Sequence, residues 1–165
     1  MRNVFRAVAL STCLVAGAPM AFAQTASGVL TVEVTVVSTC AVGSGTLAFG
    51  TVDPAAGTTT PTRVNLNVTC TQGPPFSVGL SDGANATGTQ RRMKGANQSQ
   101  YLAYNLFQDS AGTQRFGNSV TAQRLIGQTG LGATANSIPV YGSIVAGQSA
   151  PADVYSDTVP ITVYY

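Results

Sequence analysis

Gly79-Leu80-Ser81-Asp82-Gly83 has the G-x-S-x-G spacing that lifts a serine nucleophile on a sharp strand-to-helix turn. That chemistry needs a base to take the serine proton, and the triad uses histidine. The chain has no histidine, and no helical periodicity follows Gly83. The pentapeptide is therefore read as a polar β-turn. Gly43-Ser44-Gly45-Thr46-Leu47-Ala48 and residues 130–135 both fit G-x-G-x-x-A. Neither opens a helix inside a βαβ unit, as a dinucleotide site requires. The only lysine, Lys94, has no glycine-rich loop before it, so no phosphate loop is present. With no histidine and too few thiols, a metal cluster is not expected. No catalytic residue, no metal ligand set and no cofactor remain to be proposed, and the chain is read as not an enzyme.

The other polar groups read as structure. Arg91-Arg92-Met93-Lys94 is a solvated rim with one structural arginine rather than a dock for an acidic partner. Asp153 and Asp157, four apart in a Pro/Ser-containing bend, are turn formers rather than an acid pair. The tyrosines near the C-terminus are strand packing rather than a sugar platform. Asn67-Val68-Thr69, Asn85-Ala86-Thr87 and Asn97-Gln98-Ser99 match the glycosylation sequon, a pattern short enough to arise by chance.

Residues 1–23 read as a signal peptide: Arg2 and Arg6 precede an apolar run, and Ala21-Phe22-Ala23 is a small-x-small cleavage site. The run is broken by Gly17 and Pro19 and is short for a membrane span, so no membrane insertion is expected after its removal. Removing 23 of 165 residues leaves 142, one domain's worth and enough for a core. The formal charge of +2 leaves with Arg2 and Arg6, and the mature chain is neutral. Nothing in that balance attracts nucleic acid or an anionic lipid surface. Charged residues are only 8 % of the chain, which weakens the electrostatic defence against self-association. Cys13 leaves with the signal, and Cys40 and Cys70 remain in an oxidising compartment, where they are expected to form a disulfide.

The elements that carry these residues are strands. Residues 26–40 alternate with period two: Leu30, Val32, Val34 and Val36 on one face, Thr31, Glu33 and Thr35 on the other. Such alternation predicts a half-buried β-strand. Burying four side chains of this size stabilises by about 6–12 kcal/mol as an upper bound. Periodicity alone leaves two destinations open, the chain's own first sheet or a groove in a neighbouring subunit. Further strands are predicted at residues 46–52, 63–70, 76–80, 101–107, 138–145 and 157–165, separated by turn signals, with residues 116–134 too glycine-rich to assign. In the last, Val159, Ile161, Val163 and Tyr165 share one face. This pattern predicts an all-β sandwich.

In their order and spacing the residues resemble the spore coat protein U domain family, which includes Csu-type subunits of archaic chaperone–usher pili. The likeness runs through the alternating strand before Cys40, Leu47-Ala48-Phe49-Gly50, Cys70-Thr71-Gln72-Gly73 with Pro75-Phe76, and Leu80-Ser81-Asp82-Gly83. It continues through Arg91-Arg92-Met93, Leu102-Ala103-Tyr104-Asn105-Leu106-Phe107, Val140-Tyr141-Gly142, Ala146-Gly147-Gln148 and Tyr155-Ser156-Asp157-Thr158-Val159. The resemblance implies an incomplete immunoglobulin-like β-sandwich completed by donor-strand complementation. Residues 24–38 would be the donor extension, with Leu30, Val32, Val34 and Val36 as plugs, and residues 39–165 the body. Val159, Ile161, Val163 and Tyr165 would line the acceptor groove. The implied partners are copies of itself or related pilin subunits, a periplasmic chaperone and an outer-membrane usher. The implied function is a structural subunit of an exported surface fibre serving adhesion or biofilm formation. A spore or cell-coat protein of the same fold and a monomeric carbohydrate-binding module are the rival readings. Two departures stand out: Pro160 sits inside the last expected strand, where it cannot donate to a ladder, and Asp153-Val154 stands where the family usually carries glycine before the tyrosine.

Overall fold

The computed structural model describes residues 24–58, 61–97 and 99–165; the expected signal peptide lies outside the described residues. The chain divides into two units, residues 1–35 and 36–165. Within the first, residues 24–35 form no strand or helix. The predicted strand over residues 26–40 is thus corrected: regular structure begins only at Cys40. Leu30, Val32, Val34 and Val36 are each at least 80 % exposed. Alternation states which face is apolar, but a strand also needs a second strand to hold its backbone groups.

The second unit is built of nine strands and a single 3₁₀ turn (Thr121–Gln123) among the described residues. The strands are β1 (Cys40–Val42), β2 (Thr62–Cys70), β3 (Pro75–Leu80), β4 (Arg91–Gly95), β5 (Tyr101–Phe107), β6 (Leu125–Thr129), β7 (Asn136–Ile144), β8 (Tyr155–Ser156) and β9 (Ile161–Tyr164). One sheet runs β1-β2-β7-β5-β4-β8 and the other β6-β3-β9, every pairing antiparallel. The period-two pattern explains the layers. Along β2, Leu66, Val68 and Cys70 are buried while Asn65 and Asn67 are exposed. Leu102, Tyr104 and Leu106 of β5 and Ile138, Val140 and Ile144 of β7 join them. Phe76, Val78 and Leu80 from β3 supply the smaller sheet's share of the same core, with Phe116 fully enclosed. The fold is an all-β, immunoglobulin-like sandwich.

The segment 46–52 is a second correction, since it forms no strand. Gly43 N–H donates to Asn67 O at 2.8 Å, and beyond it the chain leaves the β1–β2 ladder. Leu47, Phe49 and Val52 still pack on the core. Gly142 admits them: a Cβ there would lie 2.9 Å from both Leu47 and Phe49. The expected strand over residues 157–165 is also shortened, to β9 alone: residues 157–160, Pro160 among them, form no strand, and β8 ends before the expected run begins.

Candidate functional site

Among the described residues β9 is paired on one side only, to β3, with Ile161 opposite Leu80, Thr162 opposite Gly79, Val163 opposite Val78 and Tyr164 opposite Ser77. Antiparallel pairs alternate between hydrogen-bonded and non-hydrogen-bonded kinds. Ser81 N–H donates to Pro160 O at 2.9 Å, and Leu80 N–H donates away from β9, to Gly117 O at 3.2 Å. Pro160, Thr162 and Tyr164 therefore turn their backbone groups toward β3. Ile161 and Val163 turn theirs to the opposite edge, where β9 has no strand neighbour among the described residues. The missing N–H of Pro160 falls on the β3 side, so the open edge loses no donor.

Beside this edge lies a cleft of about 350 Å³. Gly45, Thr46, Leu47 and Phe49 form one wall, and Val159 and Ile161 the other. Its floor is the core itself, including Leu66, Leu80, Met93, Leu106 and Val140. β1 comes within 8 Å of β9 at the Cα atoms without pairing to it. The sandwich is thus open to its apolar interior between the last strand and a strand-like segment that has no ladder.

A polar group closes one part of the cleft. Tyr104, which lines it, donates its hydroxyl to Asp157 Oδ2 at 2.8 Å. Asp157 Oδ1 accepts from Asn85 N–H at 3.1 Å and from Asn85 Nδ2 at 2.9 Å. Burial, then the bond to Asp157, pushes the Tyr104 phenol well above its ordinary range. Arg91 is fully buried, and Nε donates to Ser81 O at 2.9 Å while Nη2 donates to Leu80 O at 3.0 Å. Ser81 O can receive no N–H from Pro160, and Arg91 supplies the donor in its place. Burial, with Arg115 nearby, pulls the Arg91 guanidinium down to about 10, which leaves it charged at neutral pH. Asp82 and Arg115 form an ion pair at 2.7 Å. In the G-x-S-x-G stretch, Ser81 Oγ accepts Gly83 N–H at 3.1 Å, a turn contact.

The sequence-predicted residues fall as follows. Cys40 and Cys70 are joined, linking β1 to β2 at directly opposed positions. Val159 and Ile161 line the cleft; Val163 packs against the core; Tyr165 lies past the end of β9 and is 61 % exposed. Asp157 is more than a turn former, since its partners come from residues far away in the chain. Leu47 and Phe49 fall inside the expected strand over residues 46–52, but nothing in the sequence marked them as a cleft wall. No group of three or more His, Cys, Asp or Glu gathers as a metal site needs, among the described residues. No helix among them is long and apolar enough to cross a membrane.

An immunoglobulin-like sandwich whose final strand is an edge beside an open apolar cleft defines the class. The chain belongs to the Spore Coat Protein U domain family, whose model matches residues 26–162. It is 33 % identical over 180 residues to "Protein U" of Myxococcus xanthus, with 100 % of this chain and 98 % of that one covered. In fold it is similar to a chain in the crystal structure of the CsuC-CsuE chaperone-tip adhesion subunit pre-assembly complex from archaic chaperone-usher Csu pili of Acinetobacter baumannii. There the TM-score is 0.60 at 22 % identity, over 79 % of this chain and 41 % of that chain. The family is thus that of the Spore Coat Protein U domain, and the likeness to the chain in that complex is one of fold.

Proposed function

We propose that the chain is a structural subunit of a secreted surface fibre and assembles by donor-strand exchange. The extension at residues 24–38 of one copy enters the cleft of the next, with Leu30, Val32, Val34 and Val36 pointing into the core. A periplasmic chaperone occupies the cleft before assembly, and an outer-membrane usher passes the subunit outward. Residues 1–23 direct export, and the fibre serves adhesion or biofilm formation. The observation that carries this reading is the pairing of two incomplete features in one chain. Among the described residues, β9 has an open edge beside a cleft with an apolar floor. A separate stretch bears an exposed apolar row at period two. An added strand satisfies both, by main-chain hydrogen bonds and alternate side-chain pockets.

A coat role for the same assembly is the second reading, favoured by the family's description. Val34→Asp tests the common step. Burying Val contributes about 1.5–3 kcal/mol, and a buried unpaired carboxylate is more costly still. A loss of about 3 kcal/mol or more weakens binding over a hundredfold. Polymers from periplasmic extracts should disappear while the chaperone-bound subunit is still recovered. Polymers of normal length would remove Val34 from the donor row.

A further inference from the structure

Given the fibre reading, on which this inference rests, tension reaches each subunit through its own extension. The structure shows where that tension would land. β1 is three residues long, sits at the end of its sheet and, among the described residues, pairs only with β2. An edge strand so short is easily peeled from its partner. Yet the first residue of β1, Cys40, is covalently bonded to Cys70, the residue opposite it on β2. One residue earlier, Thr71 N–H donates to Thr39 O at 2.9 Å, and Thr39 N–H donates to Thr71 Oγ1 at 3.2 Å. We infer that this clasp, the Cys40–Cys70 bridge with the Thr39–Thr71 pair, is a tension bypass that carries pulling force from the extension directly into β2 and keeps β1 and the cleft wall behind it from unravelling.

The receiving end is built for load. β2 is held by β7 along residues 62–68. Cys70 O accepts Gly132 N–H at 3.0 Å, which ties the anchor to the β6–β7 loop. Gly130 lets that loop come close, because a Cβ there would overlap Thr71 O at 2.0 Å. Without the bridge, a pull on residue 39 meets only the short β1 ladder. Behind it lie residues 45–49, the cleft wall, which have no ladder of their own. Peeling β1 would therefore strip one wall from the site that holds the neighbouring subunit.

The test is single-molecule stretching of the subunit with a copy of residues 26–38 fused after Tyr165 through a flexible linker, so that the cleft is filled within one chain. Force is applied between residue 24 and the end of the fused segment. Recovery of a folded, monodisperse protein tests the fibre reading separately, before any pulling. With the bridge intact, one main unfolding event is expected and no early release. In Cys40→Ser/Cys70→Ser an early low-force event should appear. It should free the chain up to the start of β2, about 20 residues or roughly 70 Å at the extended rise per residue. If the double variant does not fold, the same event is sought in the wild-type fusion after reductant is added to the folded molecule under low load. An early release with the bridge intact would overturn the bypass, as would its absence once the bridge is opened, whether or not the fibre reading stands.

Discussion

Gly83→Ala is the substitution whose cost is most directly legible in the geometry. Gly83 has φ +89°, a backbone state L side chains rarely adopt, and a Cβ there would lie 2.0 Å from Asp157 Oδ2. The carboxylate must swing away, breaking its 2.8 Å bond from Tyr104 and disturbing both bonds from Asn85. The strained backbone costs about 1–2 kcal/mol. A buried hydroxyl left unpaired costs about 1–3 kcal/mol more. Together these give a loss of about 2–5 kcal/mol. With a urea m-value of about 2 kcal/mol/M, the midpoint should fall by about 1–2.5 M in equilibrium unfolding of the chaperone-free, strand-complemented protein. Gly88→Ala is the control, since Gly88 also has positive φ (+58°) but a Cβ there meets nothing within 4 Å. It should lose only the backbone share, about 1–2 kcal/mol. Tyr104→Phe removes the partner in advance, so Gly83→Ala should cost less in that background. Equal losses for Gly83→Ala and Gly88→Ala would show that Asp157 does not hold the loop in place, and the polar closure of the cleft would have to be withdrawn.

Three further expectations follow from the same contacts. The Cys40–Cys70 bridge closes a loop with a sequence separation of 30, so Cys40→Ser/Cys70→Ser should lose about 3.6 kcal/mol in the chain-entropy model; an unchanged urea midpoint would contradict it. Tyr104 has its phenol pKa raised by folding, so its contribution is fully present below about pH 10, where the unfolded phenol begins to ionise, and is lost as pH rises beyond it. Unfolding midpoints followed from pH 9 to 11 should therefore fall less in Tyr104→Phe than in wild type, and parallel curves would refute the assignment. Val34→Asp should abolish polymers without abolishing chaperone binding, as measured by native gel and pull-down.

Strands held on both sides were readable from the sequence because alternation and pairing agree there. β2 and β5 begin or end within a residue of the expected runs. Residues 46–52 have the same alternation, yet only their side chains reached a destination, for the backbone there faces an open cleft. Residues 26–39 make the point more strongly: period two records an apolar row and cannot say which polypeptide receives it. The bridge followed from compartment and cysteine count alone. The role of Arg91 did not, because the carbonyl it satisfies is left short by Pro160, a residue 69 positions away in the chain. The fork from Arg91 to Ser81 and Leu80 is a consequence of strand order, which a linear pattern of charges does not contain. Asp157 is similar, since its turn-forming composition was visible while its partners Tyr104 and Asn85 come from other parts of the sandwich.

The central claim is that β9 receives a strand at its free edge, and amide hydrogen exchange reads that edge residue by residue. In the subunit complemented by residues 26–38, the N–H groups of Ile161 and Val163 should exchange as slowly as that of Thr162, which faces β3. Fast exchange at Ile161 and Val163 beside a protected Thr162 would mean that no strand lies there, and the account would fail.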